Sequence, residues 1–293
     1  MATPGSNDNL GKKDRRAAAR ETARIDREAE RRRSRRNKYF LQGGVGLAVI
    51  AIAAVVMLVI VNQPKPVALS SNAAGPLNAA SDGILLSGPD LAAVTTPATK
   101  AGGVPVATKQ DLSKLNIVTY IDYICPYCNQ FEATNAQQIK QLVANGKATL
   151  EIHPLANLDN NSQGARYSTR STNAVACVAN YAPNTVFDVN AALFANQPAE
   201  GTTGLSDQKL LSVLKGVGAS SSDITKCVKS QEFATWVGAA TARTRGAKIP
   251  NSDLSTPANG LGTPTVIVNG LQYKGGLTNP AEFAAFLKTV PTK

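Results

Sequence analysis

A strand pattern that runs directly into a pair of cysteines constrains the fold more than any other part of the sequence. The segment LNIVTYIDYI (115–124) is rich in β-branched and aromatic residues, which is typical of a buried strand. The sequence CPYC (125–128) follows at once, and the pattern beyond it predicts a helix that ends just before Gly146. Cys125 is therefore predicted to lie at a junction between a strand and the N-terminus of a helix.

A cysteine in that position is suited to thiol chemistry. Backbone N–H groups and the helix dipole at a helix N-terminus favour a thiolate, and a lowered thiol pKa makes a cysteine a better nucleophile or leaving group. Cys128 is one helical turn beyond Cys125, where it is placed to attack a mixed disulfide formed at Cys125. Pro126 suits the first turn because its missing N–H would have no partner there. The arrangement favours a redox-active dithiol.

Half of a zinc site and a structural disulfide are the alternatives for this pair of cysteines. A structural zinc site needs four ligands, commonly as two close pairs. The remaining cysteines, Cys177 and Cys227, are far apart in the sequence, and the single histidine is His153. The sequence has no second CxxC and no HxxxH, so no metal is predicted. His153 lies in or just after a strand and is interpreted as a structural residue.

The pattern after residue 104 predicts an α/β fold with a mainly helical insertion. The segment ATLEIHPL (148–155) is a second predicted strand, and residues 165–247 have a helical pattern broken by loops. The segment GTPTVIVNG (262–270) begins with a turn and enters a strand, and the LQYKGG that follows is a short returning strand. NPAEFAAFLKTV (279–290) is a closing helix with asparagine as N-cap and proline at the first position.

The dipeptide Thr263-Pro264 opens the predicted strand after the helical block. X-Pro bonds are where cis peptides occur. A cis-proline at the start of an edge strand directs the backbone N–H and C=O of Thr263 towards an approaching chain, which predicts a strand-addition surface for a substrate peptide. An ordinary proline at a strand start is the alternative for this dipeptide taken alone.

An uncharged apolar run near the N-terminus predicts a single transmembrane helix over residues 39–62. No charged residue occurs from Tyr39 to Pro64, and residues 43–61 are almost wholly apolar. Such a run is long enough to cross about 30 Å of hydrocarbon as a helix. It exceeds the usual apolar region of a signal peptide, about 7–15 residues, so an uncleaved anchor is predicted.

The charges of the chain are concentrated before this run. Residues 1–38 hold 13 Lys and Arg against 6 Asp and Glu, so the positive-inside rule predicts a cytoplasmic basic tail and an extracytoplasmic remainder. The arginines of the tail have no interleaved aromatic residues, so no nucleic-acid partner is predicted. Residues 63–103 are rich in Ala, Ser, Pro, Gly and Thr, which predicts a flexible extracytoplasmic linker.

Residues 104–293 resemble the DsbA-like branch of the thioredoxin superfamily, and most of all its membrane-anchored actinobacterial members. The resemblance rests on IDYICPYCNQFE (121–132), on the second strand running into HPLANLD (153–159), on the helical insertion at about 164–247 and on GTPTVIVNG (262–270). It implies a thioredoxin fold with an inserted helical domain. It also implies thiol–disulfide exchange without a metal or an organic cofactor.

The resemblance implies roles for individual residues. Cys125 matches the nucleophilic cysteine and Cys128 the buried resolving cysteine. Pro126-Tyr127 matches the dipeptide that tunes the reduction potential. Thr263-Pro264 matches the cis-proline and the substrate-contacting residue before it.

A second pair of cysteines lies in the helical block. Cys177 and Cys227 are predicted to form a structural disulfide, because cysteines outside the cytoplasm tend to be oxidised. The bond would close a loop of about 50 residues, worth roughly 4 kcal/mol on the chain-entropy model. Relatives of this type often carry such a pair. Buried free thiols or a second redox pair are the alternatives.

The sequence departs from the family pattern near the dithiol. Many thioredoxin-like proteins have a buried carboxylate six residues before the first cysteine, where this chain has Thr119. Asp122 is acidic but lies only three residues before Cys125. The dipeptide between the cysteines is Pro-Tyr, where the strongest oxidants of the family commonly have Pro-His. The proton acceptor for Cys128 and the direction of electron flow therefore stay open.

The expected function is that of a membrane-tethered oxidase that introduces disulfides into unfolded secreted proteins. The family implies reoxidation by a VKOR-like or DsbB-like membrane partner. A reductase or isomerase of the same fold is the first alternative, and a non-catalytic binding domain with structural cysteines is the second. No dimerisation domain is visible in the sequence, so a monomer is expected.

Overall fold

The computed structural model describes residues 74–293 and, near the N-terminus, only residues 20, 21, 24, 27, 28 and 32. Almost all of the predicted basic tail (1–38), the whole predicted transmembrane helix (39–62) and the start of the predicted linker lie outside the described residues. Among the residues that are described, no helix combines the length and apolar character needed to cross a membrane. The chain divides into two units, Met1–Gln63 and Pro64–Lys293, and the second carries the features below.

One mixed sheet organises residues 74–293, with strand order β2-β1-β4-β3-β5-β6. Strands β3 and β4 are parallel, and the other neighbouring pairs in this sheet are antiparallel. The strands are β1 (Ile84–Ser87), β2 (Ala92–Ala93), β3 (Leu115–Ile121), β4 (Ala148–Pro154), β5 (Thr265–Val268) and β6 (Leu271–Gln272).

The helices follow the order that the sequence predicts, with one after β3, a block after β4 and one at the end. The long helix is α1 (Pro126–Ala144), and the final helix is α7 (Pro280–Thr289). The block between β4 and β5 contains α2 (Tyr167–Tyr181), α3 (Val186–Ala195), α4 (Asp207–Gly216), α5 (Ser222–Ser230) and α6 (Ala234–Arg243). The predicted α/β fold with a helical insertion is confirmed.

Strand β3 and helix α1 form the centre of this arrangement. All residues of β3 except the first are buried, because the strand lies between β4 and β5 in the sheet. Helix α1 buries one face through residues three or four positions apart, which is the spacing of a single helix face. These residues are Cys128, Phe131, Asn135, Ile139 and Val143. The packing of β3 in the sheet and of α1 through this face sets the position of the residues between them, 122–125.

From residue 74 onwards, the segment predicted to be a flexible linker belongs to the folded domain. Strand β1 pairs with β4, and Leu86 lies opposite Leu150. Ile84, Leu86 and Leu91 are fully or almost fully buried. The linker prediction is therefore wrong for residues 74–103. The sequence did not indicate this strand, because its few core residues stand among many small and polar ones. Its partner strand is also more than 60 residues away in the sequence.

Side chains also attach this segment to the helical block. The carboxylate of Asp82 accepts two hydrogen bonds from Arg243 at 2.6 and 2.7 Å and one from Trp236 Nε1 at 3.2 Å. A bidentate arginine–carboxylate pair is among the stronger polar contacts in proteins. The segment before β3 is thus held on both the sheet and α6.

Helices α2 and α5 are joined by the Cys177–Cys227 disulfide, with a Cα–Cα distance of 5.9 Å. Both cysteines are completely buried. The pairing matches the predicted one.

Candidate active site

Cys125 occupies the N-cap position of α1, and Pro126 is the first residue of the helix. The carbonyl oxygen of Cys125 accepts hydrogen bonds from the backbone N–H groups of Cys128 at 3.1 Å and Asn129 at 3.3 Å. The local sequence explains this arrangement, since proline fits the first turn and the cysteine before it keeps an extended backbone with ψ of 116°. The predicted strand–cysteine–helix junction is present.

The two thiols of the CxxC pair have opposite pKa shifts. The hydrogen bond from the Cys128 thiol lowers the pKa of Cys125 to about 6, against the opposing effect of burial. The side chain of Thr263 and the backbone N–H groups of Cys128 and Tyr127 add to this lowering. Burial, followed by the neighbouring Cys125, raises the pKa of Cys128 well above its usual value. Cys125 is therefore mainly a thiolate at neutral pH, and Cys128 keeps its proton.

Thr263-Pro264 faces the reactive cysteine across the end of the sheet. The bond between these two residues is cis. The Cys125 thiol, when protonated, donates to the carbonyl oxygen of Thr263 at 3.3 Å. The fold thus brings together the two motifs that the sequence singles out, although they are far apart in the chain.

A groove at the surface gives access to Cys125. Tyr127 lines it and is 59% exposed, whereas Cys125 is 3% exposed and Cys128 is completely buried. A substrate thiol that approaches through the groove therefore meets Cys125 and not Cys128. Other residues along its walls are Asn157, Leu158, Glu200, Arg245 and Thr263.

Asp122 lies behind the dithiol and is completely buried. Its backbone N–H donates to Cys128 Sγ at 3.4 Å. Its carboxylate accepts from Ser168 Oγ at 2.7 Å and from the backbone N–H groups of Leu158 at 3.0 Å and Ile124 at 3.1 Å. Burial outweighs these hydrogen bonds and raises the pKa of Asp122 to about 6. Asp122 is thus a buried acid next to Cys128, although it does not occupy the position where the family pattern has one.

The helical insertion contributes Gln197, a residue that the sequence analysis missed. Its side-chain Nε2 donates to the carbonyl oxygen of Cys125 at 2.9 Å and to that of Tyr123 at 3.1 Å. One side-chain amide thereby binds the backbone at Tyr123 and at Cys125, where the chain turns into α1. No local signal marks Gln197, because it follows α3 and its partners are 72 and 74 residues earlier.

Asn190 of α3 makes a second connection between the insertion and the site. It accepts from Tyr123 Oη at 2.9 Å and donates to Glu132 Oε1 at 2.7 Å. Burial raises the pKa of Glu132 to about 7, and the hydrogen bond from Asn190 opposes that shift. The insertion and the active-site helix are therefore joined by a buried polar network.

The part of the chain that the structure describes contains no cluster of three His, Cys, Asp or Glu residues arranged to hold a metal ion. His153 Nε2 instead lies 3.2 Å from Glu151 Oε1, and its ring stacks on Tyr120 with centroids 4.4 Å apart. The histidine is thus part of the folded core, as interpreted from the sequence.

A cysteine with a lowered pKa at a helix N-terminus, a buried second cysteine and a facing cis-proline form the arrangement that the sequence predicts for thiol–disulfide exchange. A family model described as "Thioredoxin" matches residues 110–289, and the chain belongs to this family.

Solved structures agree with this assignment. A disulfide bond oxidoreductase (DsbG) from Mycobacterium tuberculosis is 26% identical, with a TM-score of 0.53 over 71% of this chain and 86% of that one. Oxidised DsbA from the same organism is 25% identical, with a TM-score of 0.52 over 70% of this chain and 91% of that one. The predicted DsbA-like resemblance is confirmed, and the described domain is a DsbA-like thiol–disulfide oxidoreductase domain.

A different kind of relative shares part of the sequence. Serine/threonine-protein kinase PknE of Mycobacterium tuberculosis is 32% identical over 147 residues, which make up 49% of this chain and 25% of the kinase. The match therefore spans about a quarter of the kinase.

Proposed function

We propose that this protein is a membrane-tethered, extracytoplasmic oxidase that introduces disulfides into unfolded secreted proteins through Cys125 and Cys128. The observation that carries the proposal is the position of Cys125, which caps the N-terminus of α1 and contacts the carbonyl oxygen of Thr263. Strand β5 lies between β3 and β6 and is not the edge strand that the sequence predicts, but Thr263 precedes the paired residues. The reactive sulfur thus lies beside a backbone segment outside the strand pairing, which suits an extended peptide.

The reaction begins with the Cys125–Cys128 disulfide. A substrate thiolate attacks Sγ of Cys125, a mixed disulfide forms, and Cys128 leaves with the electron pair of the broken S–S bond and takes up a proton. A second substrate thiolate then attacks the substrate sulfur of the mixed disulfide. Cys125 leaves as a thiolate, so the substrate loses two electrons and the protein gains them.

The thiolate of Cys125 favours this direction of electron flow. A low pKa stabilises the reduced form of the protein, which makes its disulfide more oxidising. The pKa of Cys125, lowered to about 6 by the Cys128 hydrogen bond and the neighbouring N–H groups, therefore supports oxidase activity. Reoxidation requires an electron acceptor, and the proposed one is a VKOR-like or DsbB-like membrane protein.

The proposed location rests on residues 1–62. The uncharged run over 39–62 follows a strongly basic tail, which supports a single span with the N-terminus in the cytoplasm. In intact cells, a protease added outside should cleave the chain after this run. Cleavage that requires permeabilised cells would contradict the proposed topology.

Oxidation of a reduced, unfolded test protein gives a direct test of activity. Full-length protein in which the Cys125–Cys128 disulfide is formed should remove thiols from the test protein. For each disulfide formed in the test protein, one Cys125–Cys128 pair should become reduced. The Cys125→Ser variant should be inactive. Equal activity of this variant, or no loss of thiols with the unaltered protein, would exclude the proposed reaction.

A further inference from the structure

We propose that the groove beside Cys125 contains a subsite for an acidic side chain of the substrate, with Arg245 as its main contact. The inference rests on the proposed function and adds the kind of polypeptide that the site prefers. It concerns residues outside the two cysteines and the cis-proline.

The groove extends beyond the dithiol into a second, adjoining depression. The part next to Cys125 includes Tyr127 and Thr263, and the adjoining depression includes Arg166. Asn157 and Arg245 line both parts. A polypeptide that reaches Cys125 from this side must therefore pass Arg245.

Arg245 lies against the loop that leads to Thr263. Its Cγ and Nε are 3.6 and 4.0 Å from the point that a Cβ would occupy at Gly260, and Asn157 Oδ1 is 3.8 Å from the same point. Asn157 also fixes the loop, because its Nδ2 donates to the carbonyl oxygen of Leu261 at 2.8 Å. Arg245 is thus positioned beside the surface on which a substrate strand would pair.

The charge of Arg245 is available to a ligand. Its side chain is exposed, and no carboxylate within residues 74–293 forms an ion pair with it. Glu200, which lines the part of the groove near Cys125, instead accepts a hydrogen bond from Asn161.

Arg166 adds a second guanidinium to the wall of the adjoining depression. Its Nε lies 3.4 Å from Asp159 Oδ2, and its Nη2 lies 3.3 Å from Thr169 Oγ1. Its Nη1 is buried and has no hydrogen-bond partner among the described residues. Asp159 is already engaged, since it also accepts from Thr169 N at 2.8 Å and Thr169 Oγ1 at 2.6 Å. Because this N–H is buried, it is not exposed to an incoming acceptor, and Arg166 contributes to the depression through its charge.

The chemistry of these donors favours a carboxylate. A guanidinium presents N–H groups in a planar fork that matches the two oxygens of Asp or Glu. The substrate therefore carries Asp or Glu close in sequence to its reactive cysteine, on the side that passes Gly260. Because Arg245 is exposed, the gain is expected to be modest, about two- to fivefold in rate, as for surface ion pairs worth up to about 1 kcal/mol.

Reduced dithiol peptides that differ at one residue give the test. Glu, Gln or Lys is placed at each of the four positions on either side of the reactive cysteine, and the oxidised full-length protein is mixed with each peptide. The rate of peptide oxidation is then measured at low and high salt. At one or two positions on one side, Glu should react about two- to fivefold faster than Gln, and salt should reduce the difference.

Variants of Arg245 assign the preference to this residue. Arg245→Gln should bring the Glu-to-Gln rate ratio close to one, and Arg245→Glu should favour Lys at the same positions. Lys209→Glu is the matched control, because it makes the same charge change at an exposed residue of α4 that does not line the groove. A glutamate three residues after the N-cap Ser206 also suits the start of that helix, so this variant should fold. Because residue 209 does not line the groove, the control should keep the Glu-to-Gln rate ratio of the unaltered protein.

The outcomes separate the inference from the function on which it rests. Equal oxidation of the Glu and Gln peptides at all positions, or an unchanged ratio in Arg245→Glu, would overturn the subsite and leave the proposed function intact. If no peptide is oxidised, the proposed function fails and the subsite fails with it.

Discussion

The side-chain amide of Gln197 donates to the carbonyl oxygen of Cys125 across 2.9 Å, so a residue of the helical insertion holds the turn that carries the reactive thiol. The same amide donates to the carbonyl oxygen of Tyr123. The insertion therefore positions the active site and does more than cover the sheet.

Replacement of Gln197 by Leu should lower the free energy of unfolding. The change removes both hydrogen bonds. The carbonyl oxygen of Cys125 keeps its donors Cys128 N and Asn129 N, whereas that of Tyr123 loses the Gln197 donor, and a buried carbonyl oxygen without a partner costs about 1–3 kcal/mol. Denaturant unfolding of the unaltered and variant proteins measures the difference. Gln208→Leu, at an exposed residue of α4, is the matched control and should change stability by less than about 0.5 kcal/mol. A similar effect of both variants would contradict the positioning role of Gln197.

The thiolate of Cys125 should be observable at mildly acidic pH. Because the Cys128 hydrogen bond and the backbone N–H groups lower the pKa of Cys125 to about 6, its rate of alkylation should rise with a midpoint near that pH. Cys128→Ala removes the first of these contacts and should move the midpoint upwards. A midpoint near the unperturbed thiol value of about 8.5 in the unaltered protein would show that the site does not activate Cys125.

Asp122 should make stability depend on pH. Burial raises the pKa of Asp122 to about 6, above its usual value of 3.8, so the folded protein binds a proton more tightly than the unfolded chain. The resulting stabilisation is complete below about pH 4 and is lost as the pH rises through about 6.

The change expected from Asp122 is of order 3 kcal/mol for a shift of this size. Unfolding free energies at several pH values between 3 and 8 measure it. Asp122→Asn should reduce the loss of unfolding free energy that occurs as the pH rises through about 6. Asp188→Asn, at an exposed residue of α3, should show the same loss as the unaltered protein. An equal pH profile for Asp122→Asn and the unaltered protein would contradict this assignment.

The Cys177–Cys227 disulfide should contribute to stability and not to electron transfer. The closed loop has a sequence separation of 50 residues, so the Cys177→Ala/Cys227→Ala double variant should lose roughly 4 kcal/mol in unfolding free energy. Its Cys125 alkylation profile should stay unchanged. Reduction of this bond by substrate dithiols while the protein remains folded would favour the alternative of a second redox pair.

The sequence predicted the features of the site that follow from neighbouring residues. Pro126 after a strand predicted the helix start, and the helix start predicted an activated Cys125. Thr263-Pro264 was recognised in the same way, from one dipeptide before a strand. Such features depend on backbone preferences that act over a few residues.

Contacts between distant segments were not predictable in this way. Strand β1 has only four residues, and its pairing with β4 depends on packing that its composition does not indicate. Gln197 and Asn190 act through hydrogen bonds to residues more than 55 positions away. An exposed amide and a buried one look the same in a sequence, so these residues emerged only from the fold.

The reduction potential of the Cys125–Cys128 pair tests the central claim most directly. Full-length protein would be equilibrated in thiol–disulfide buffers, and the fraction of this pair that is reduced would be determined by alkylation and peptide mass measurement. An oxidase with a stabilised Cys125 thiolate should have a potential above about −180 mV, on the oxidising side of protein disulfide isomerase. A potential near that of thioredoxin, about −270 mV, would contradict the oxidase and favour a reductase.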